Sequence, residues 1–147
     1  MKGSLDQGLL LDLRRDERGG ALVEFALLAP VFITLMVGVV QVGVHVQNSN
    51  AVRNLASDGA RFAVVESQRG NGLTTNQLAA IIYSHGIGPK YVLDHERLTV
   101  EVTEPASRIT GVDEMRIEVT YNAPDYLAFV DSEALQLNYA RPVFLMP

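Results

Sequence analysis

Glu24 is the only acid at the edge of a long apolar stretch, and the pair Gly19-Gly20 lies about one helical turn before it. An unpaired carboxylate beside about 20 apolar residues is costly unless it gains a partner. Hydrolysis of the Gly19–Gly20 bond would supply one. The new α-amino group on Gly20 would lie four residues before Glu24, on the same helical face. Glu24 would then be the fifth residue of the shortened chain, and ammonium and carboxylate could pair. A cut after Gly20 instead would make Glu24 the fourth residue.

The remaining chemistry-bearing residues do not assemble into a reaction centre. Asp94-His95-Glu96 is the densest polar cluster, with His85 ten residues before His95. Neither HExxH nor another short metal spacing is present, and consecutive residues on a turn or strand point apart. Ser84, Ser107 and Ser132 lack a nucleophile-elbow context, and three His without a paired base do not make a triad. Asp113-Glu114 stands beside a strand start and reads as a pair of solvated acids. The chain has no Cys, which excludes disulfides, thiolate zinc sites and cysteine nucleophiles. A net charge of −5 argues against a nucleic-acid partner. The expectation is therefore a protein that is not an enzyme and has no catalytic, cofactor-binding or metal site.

The element that must position Glu24 is the stretch Arg18 to Val46. From Phe25 to Val44 it holds no charged side chain, which is the length and composition of a membrane-spanning helix. Before it, residues 1–19 form a polar leader carrying Arg14, Arg15 and Arg18, and basic residues beside a span hold that end in the cytoplasm. The C-terminal part is then outside. Cleavage as an ordinary secretory signal would need a small-residue site after the apolar run, and Val42-Gly43-Val44 matches it poorly. Pro30 deletes one helical hydrogen bond and should kink the helix, while His45 reads as a polar anchor at the membrane exit. Gly38 and Gly43 lack GxxxG spacing.

Beyond Gln47 the pattern turns amphipathic. Val52, Leu55, Ala56, Gly59, Phe62 and Ala63 recur at spacings of three and four. One helix is predicted from about Gly20 to Glu66, roughly 70 Å at about 1.5 Å per residue. Asp58 and Arg61, three apart, are placed to pair on its surface. Ser67 to Gly72 is a loop without the GKS or GKT continuation of a phosphate cradle. A short helix, Asn76 to Ser84, follows, capped by Thr74 or Thr75 and ended by Gly86-Ile87-Gly88-Pro89. Three alternating segments are predicted as strands: Arg97 to Glu104, Glu114 to Tyr121 and Leu135 to Tyr139. The apolar tail Val143 to Met146 could join this core or a neighbour's sheet edge. The fold class is α+β: a long N-terminal membrane-spanning helix continuing into a small outer domain with a short helix and an antiparallel three-stranded sheet. Its boundaries are leader 1–19, transmembrane helix 20–46, extramembrane helix 47–66 and outer domain 67–147.

The segment Arg18 to Pro30, RGGALVEFALLAP, resembles the type IV pilin superfamily, and within it the TadE-like minor pilins of the tight-adherence (Flp-type) pilus. Leu55 to Ala63, LASDGARFA, carries a second, weaker likeness. The resemblance covers roughly the first 65 residues. It implies a leader removed by a prepilin peptidase at Gly19-Gly20, with Glu24 and the following Phe25 serving assembly. Major pilins of this pilus type usually carry Tyr after the Glu and have almost no outer domain. The implied role is a structural minor pilin or pseudopilin acting in pilus initiation or at the tip. Its implied partners are other major and minor pilins, the pilus assembly platform, the prepilin peptidase and membrane lipid, with no cofactor. Its implied location is the bacterial inner membrane, N-terminus cytoplasmic and C-terminus periplasmic, then the pilus at the cell surface. The alternative is a signal-anchored periplasmic binding or adhesive module whose N-terminal helix stays uncleaved.

Overall fold

The computed structural model describes residues 18–127 and 135–146. Most of the leader, with Arg14 and Arg15, and Ser132 lie outside the described residues. Helix α1 runs Arg18–Gln68, α2 Thr75–Gly86, and the strands are β1 Leu98–Thr103, β2 Asp113–Asn122 and β3 Gln136–Leu145. The chain divides between Val39 and Val40 into two compact units.

The described part of the first unit is helix alone. Its large side chains stand outward, with Leu22 and Leu27 both 71% exposed and Phe25 70% exposed. The most apolar 18-residue window of α1 has a mean hydropathy of 2.3 and none of it is buried. Apolar surface left open on this scale belongs to a helix long and apolar enough to cross a membrane, which points to membrane anchoring. Pro30 lies inside the helix. There the Thr34 hydroxyl donates to the Pro30 carbonyl at 2.8 Å, the back-bond to the preceding turn that Ser and Thr side chains make inside helices.

The second unit, from Val40, has a core built from both helices and the sheet. Val52, Leu55, Ala56, Ala60 and Ala63 of α1, Leu78 and Ile82 of α2, and Leu98, Ile117, Val119, Tyr121 and Val143 of the strands bury together. Gly59 is small for a reason. A Cβ there would come within 2.6 Å of Ile82 Cδ1, so glycine lets α2 close on α1. Thr74 caps α2: its hydroxyl accepts from Gln77 N at 3.3 Å, and Gln77 Oε1 accepts from Thr74 N at 3.0 Å. This reciprocal box satisfies two N–H groups at the helix start.

The sheet has the order β1-β2-β3, antiparallel throughout. Val100 stands opposite Val119, and Val119 opposite Tyr139, so alternation places one row of apolar side chains toward the helices. The third strand is longer than the five residues its pattern predicts. It continues through Pro142 to Leu145, because an edge strand tolerates a residue without an N–H on its unpaired side. The tail thereby joins its own core, with Val143 buried, while Met146 is 83% exposed.

Candidate assembly site

Gly19, Gly20, Glu24 and Phe25 all lie in the first turns of α1. Both glycines are exposed, and a side chain added at either would meet nothing within 4 Å. The bond between them lies in the first turn of α1, where helix ends fray. Glu24 is exposed one turn on, on the face that a Gly20 amine would share. Helical geometry brings these residues together, with Pro30 more than a turn beyond. Nothing among the described residues of this unit hydrogen-bonds Glu24.

Three polar contacts in the second unit escaped the sequence pattern. Gln41 is 5% exposed. Its Nε2 donates to the Pro124 carbonyl at 2.9 Å, and its Oε1 accepts from Tyr126 N at 2.9 Å. One amide therefore satisfies both an acceptor and a donor of the segment after β2. The available signal was an amide within an otherwise apolar run. His45, one turn later, is half-buried, and its Nδ1 is shielded from solvent without a hydrogen-bond partner among the described residues.

Asp58 does not pair with Arg61 as its spacing suggested. Its carboxylate is taken by the Lys90 ammonium and by the Tyr91 hydroxyl, the latter at 2.6 Å. The turn after α2 returns to this flank of α1, and a pair made across elements displaces the local one. Val92, next in the turn, holds φ at 53°. That left-handed conformation costs a β-branched residue about 1–2 kcal/mol. The hydrogen bond from Lys90, and then that from Tyr91, holds the Asp58 carboxyl below its ordinary range.

Glu114 is likewise no solvated acid. It is 6% exposed, and Arg108 grips it with Nη2 at 2.7 Å and Nε at 3.0 Å from Oε1 while the Arg108 backbone N–H donates to Oε2 at 3.1 Å. The Arg108 guanidinium lies over the Phe144 ring, 5.5 Å from its centre. The loop between β1 and β2 folds back and covers the acid, which separates it from its exposed neighbour Asp113. The Arg108 side chain depresses the Glu114 carboxyl, against a smaller upward push from burial.

The histidines serve contacts of other kinds. His95 Nδ1 lies 3.5 Å from Asp94 and its Nε2 4.0 Å from Glu96, all exposed. His85 meets the Phe62 ring edge-on at 6.3 Å. Among the described residues no three His, Cys, Asp or Glu side chains gather as a metal would require.

Compared with known proteins, residues 19–61 match the family described as TadE-like protein. The match begins at Gly19, contains Glu24, Phe25 and Pro30, and covers less than a third of the chain. The segment is TadE-like, consistent with a pilin-related protein associated with the Tad pilus. Neither the curated proteins nor the solved structures yield a match.

Proposed function

We propose that the TadE-like segment makes this chain a structural minor pilin or pseudopilin of a tight-adherence pilus, acting in pilus initiation or at its tip and not as an enzyme. The observation that carries the reading is the family match from Gly19 to Arg61. It coincides with an exposed apolar helix whose head presents Gly19, Gly20 and Glu24. A prepilin peptidase removes residues 1–19 on the cytoplasmic side. The apolar part of the helix stays in the inner membrane with α2 and the sheet outside, and Pro30 gives it a point at which to bend. In an assembled bundle the Glu24 carboxylate pairs with the Gly20 ammonium of a neighbouring pilin, which fixes the axial register between subunits. Each ion buried without the other costs several kcal/mol, so the pair favours assembly over a lone subunit. Major and minor pilins, the assembly platform and membrane lipid are its partners.

The test is Glu24→Gln, expressed in cells that contain the prepilin peptidase and the other pilus components. The variant should insert and lose its first nineteen residues like the parent, by intact mass, yet fail to co-purify with other pilin subunits. Unchanged recovery in that complex overturns the pairing role. A mature chain that still begins at Met1 overturns the pilin reading in favour of an uncleaved tether.

A further inference from the structure

A cleft of about 550 Å³ opens on the helix side of the second unit, lined by Asn50, Asn54, Asp58 and Arg61 of α1, Lys90 of the turn after α2, and Arg141 of β3. Its charges do not balance. Three cations share one carboxylate, and that carboxylate is already engaged by Lys90 and Tyr91. Arg141 donates to the Ser57 hydroxyl at 2.8 Å, which leaves its charge uncompensated. Among the described residues no carboxylate comes within ion-pair distance of Arg61 or Arg141. In a chain of net charge −5, this is a local positive surplus inside a concave, donor-rich surface.

The sheet carries the complementary feature on its other face. Glu101 of β1 stands directly opposite Glu118 of β2, and like charges facing each other across strands destabilise a sheet. Glu101 is exposed. The next residue across, on β3, is Ala140, too short to cover the pair. Asn138 relieves it in part, its amide donating to Glu118 Oε1 at 2.6 Å, and Arg116, two residues along β2 on the same face, makes no ion pair with either acid among the described residues. Val100 and Val119, one residue away on each strand, turn into the core, so the two carboxylates face away from the helices.

We propose that the cleft receives the Glu101–Glu118 pair of a second copy of this chain. Two carboxylates meet the unmatched Arg61 and Arg141, and docking relieves the repulsion that each free copy carries. The receiving surface is on the helix side and the inserting surface on the open sheet face. The contact is therefore head-to-tail and leaves one surface of each kind free at the ends of a row. This deepens the pilin reading and rests on it for the shared membrane that aligns the copies.

The chain has no Cys, so engineered cysteines report without background. Asn54→Cys at the cleft and Thr99→Cys on the open sheet face, in one full-length chain, are oxidised in membranes of cells carrying all pilus components. The expected product is a ladder of dimers, trimers and longer species. Adding Arg61→Glu with Arg141→Glu should lower the cross-linked fraction about tenfold or more, because like charges then meet. Adding the reciprocal Glu101→Arg and Glu118→Arg should restore it, a rescue that damage to folding would not permit. No ladder, dimers alone, or a ladder insensitive to reversal each overturns the proposal. Co-purification with other pilins, read in the same membranes, separates the two ideas: its persistence without a ladder sinks only the cleft contact, and its absence sinks the pilin reading itself.

Discussion

Helix α1 contains two kinds of apolar residue. Before Val39 the residues are large and turned outward, as with Leu22, Phe25 and Leu27. In the later turns the buried positions include Ala56, Ala60 and Ala63 beside Val52 and Leu55. The difference shows what each stretch expects as its partner. Lipid conforms to bulky side chains, whereas a second helix and a sheet must approach closely, and small residues such as Gly59 leave room for Ile82. Hydropathy alone merges the two stretches, while residue size and burial separate them.

The largest effect should come from making one substitution in both stretches. Leu55 is 1% exposed and Leu27 is 71% exposed. Leu55→Ala should destabilise the second unit by about 2–5 kcal/mol, through lost burial and the cavity left behind. Leu27→Ala should change its unfolding free energy by no more than about 0.5 kcal/mol. Denaturant unfolding in detergent, followed by tyrosine near-ultraviolet circular dichroism, measures both. Equal effects would erase the distinction between the stretches.

The two hydropathy patterns along α1 were legible beforehand, though the units divide at Val39–Val40, earlier than the expected end of the span at residue 46. The run from Phe25 to Val44 and the change to three-and-four spacing at Val52 come from local periodicity, which a sequence displays directly. The same holds for the strands, whose alternation located β1 and β2 to within a residue or so. The length of β3 was hidden because Pro142 breaks the pattern unless its edge position is known. The polar contacts were hidden for another reason. Gln41 with Tyr126, Asp58 with Lys90, and Arg108 with a buried Glu114 depend on where loops return, and no spacing rule encodes that. Of the candidate assembly site, what the sequence made legible is placement: Gly19, Gly20 and Glu24 fall in the first turns of one helix.

Gln41 sharpens the comparison at the boundary itself. It follows Val40, where the second unit begins, and both of its hydrogen bonds go to the segment after β2. Gln41→Leu keeps the apolar character of the run but strands the Tyr126 N–H and the Pro124 carbonyl. A loss of about 1–3 kcal/mol is expected for groups left without partners. Insertion should be unchanged, since it follows apolar content. If the unfolding free energy is unaltered, Gln41 belongs energetically with the outward-facing residues and the boundary shifts toward the C-terminus.

The smallest effect distinguishes the stretches by acid sensitivity. Lys90 and Tyr91 hold Asp58 below its ordinary range, and Arg108 does the same for Glu114. A carboxyl depressed in the folded state binds its proton more readily after unfolding. The stability it contributes is thus fully present above the unfolded value, about 4 for carboxyls, and is lost as pH falls through the depressed folded value. The second unit should accordingly unfold at lower denaturant concentration as pH drops below about 4. Asp58→Asn and Glu114→Gln should each lower stability at neutral pH and make the acid limb shallower, and together they should flatten it further. Because the two acids sit on different elements with different cations, their contributions should be close to additive. An acid limb that keeps its full slope in the double variant would assign the sensitivity to other groups and remove these ion pairs from the account of what holds the second unit together.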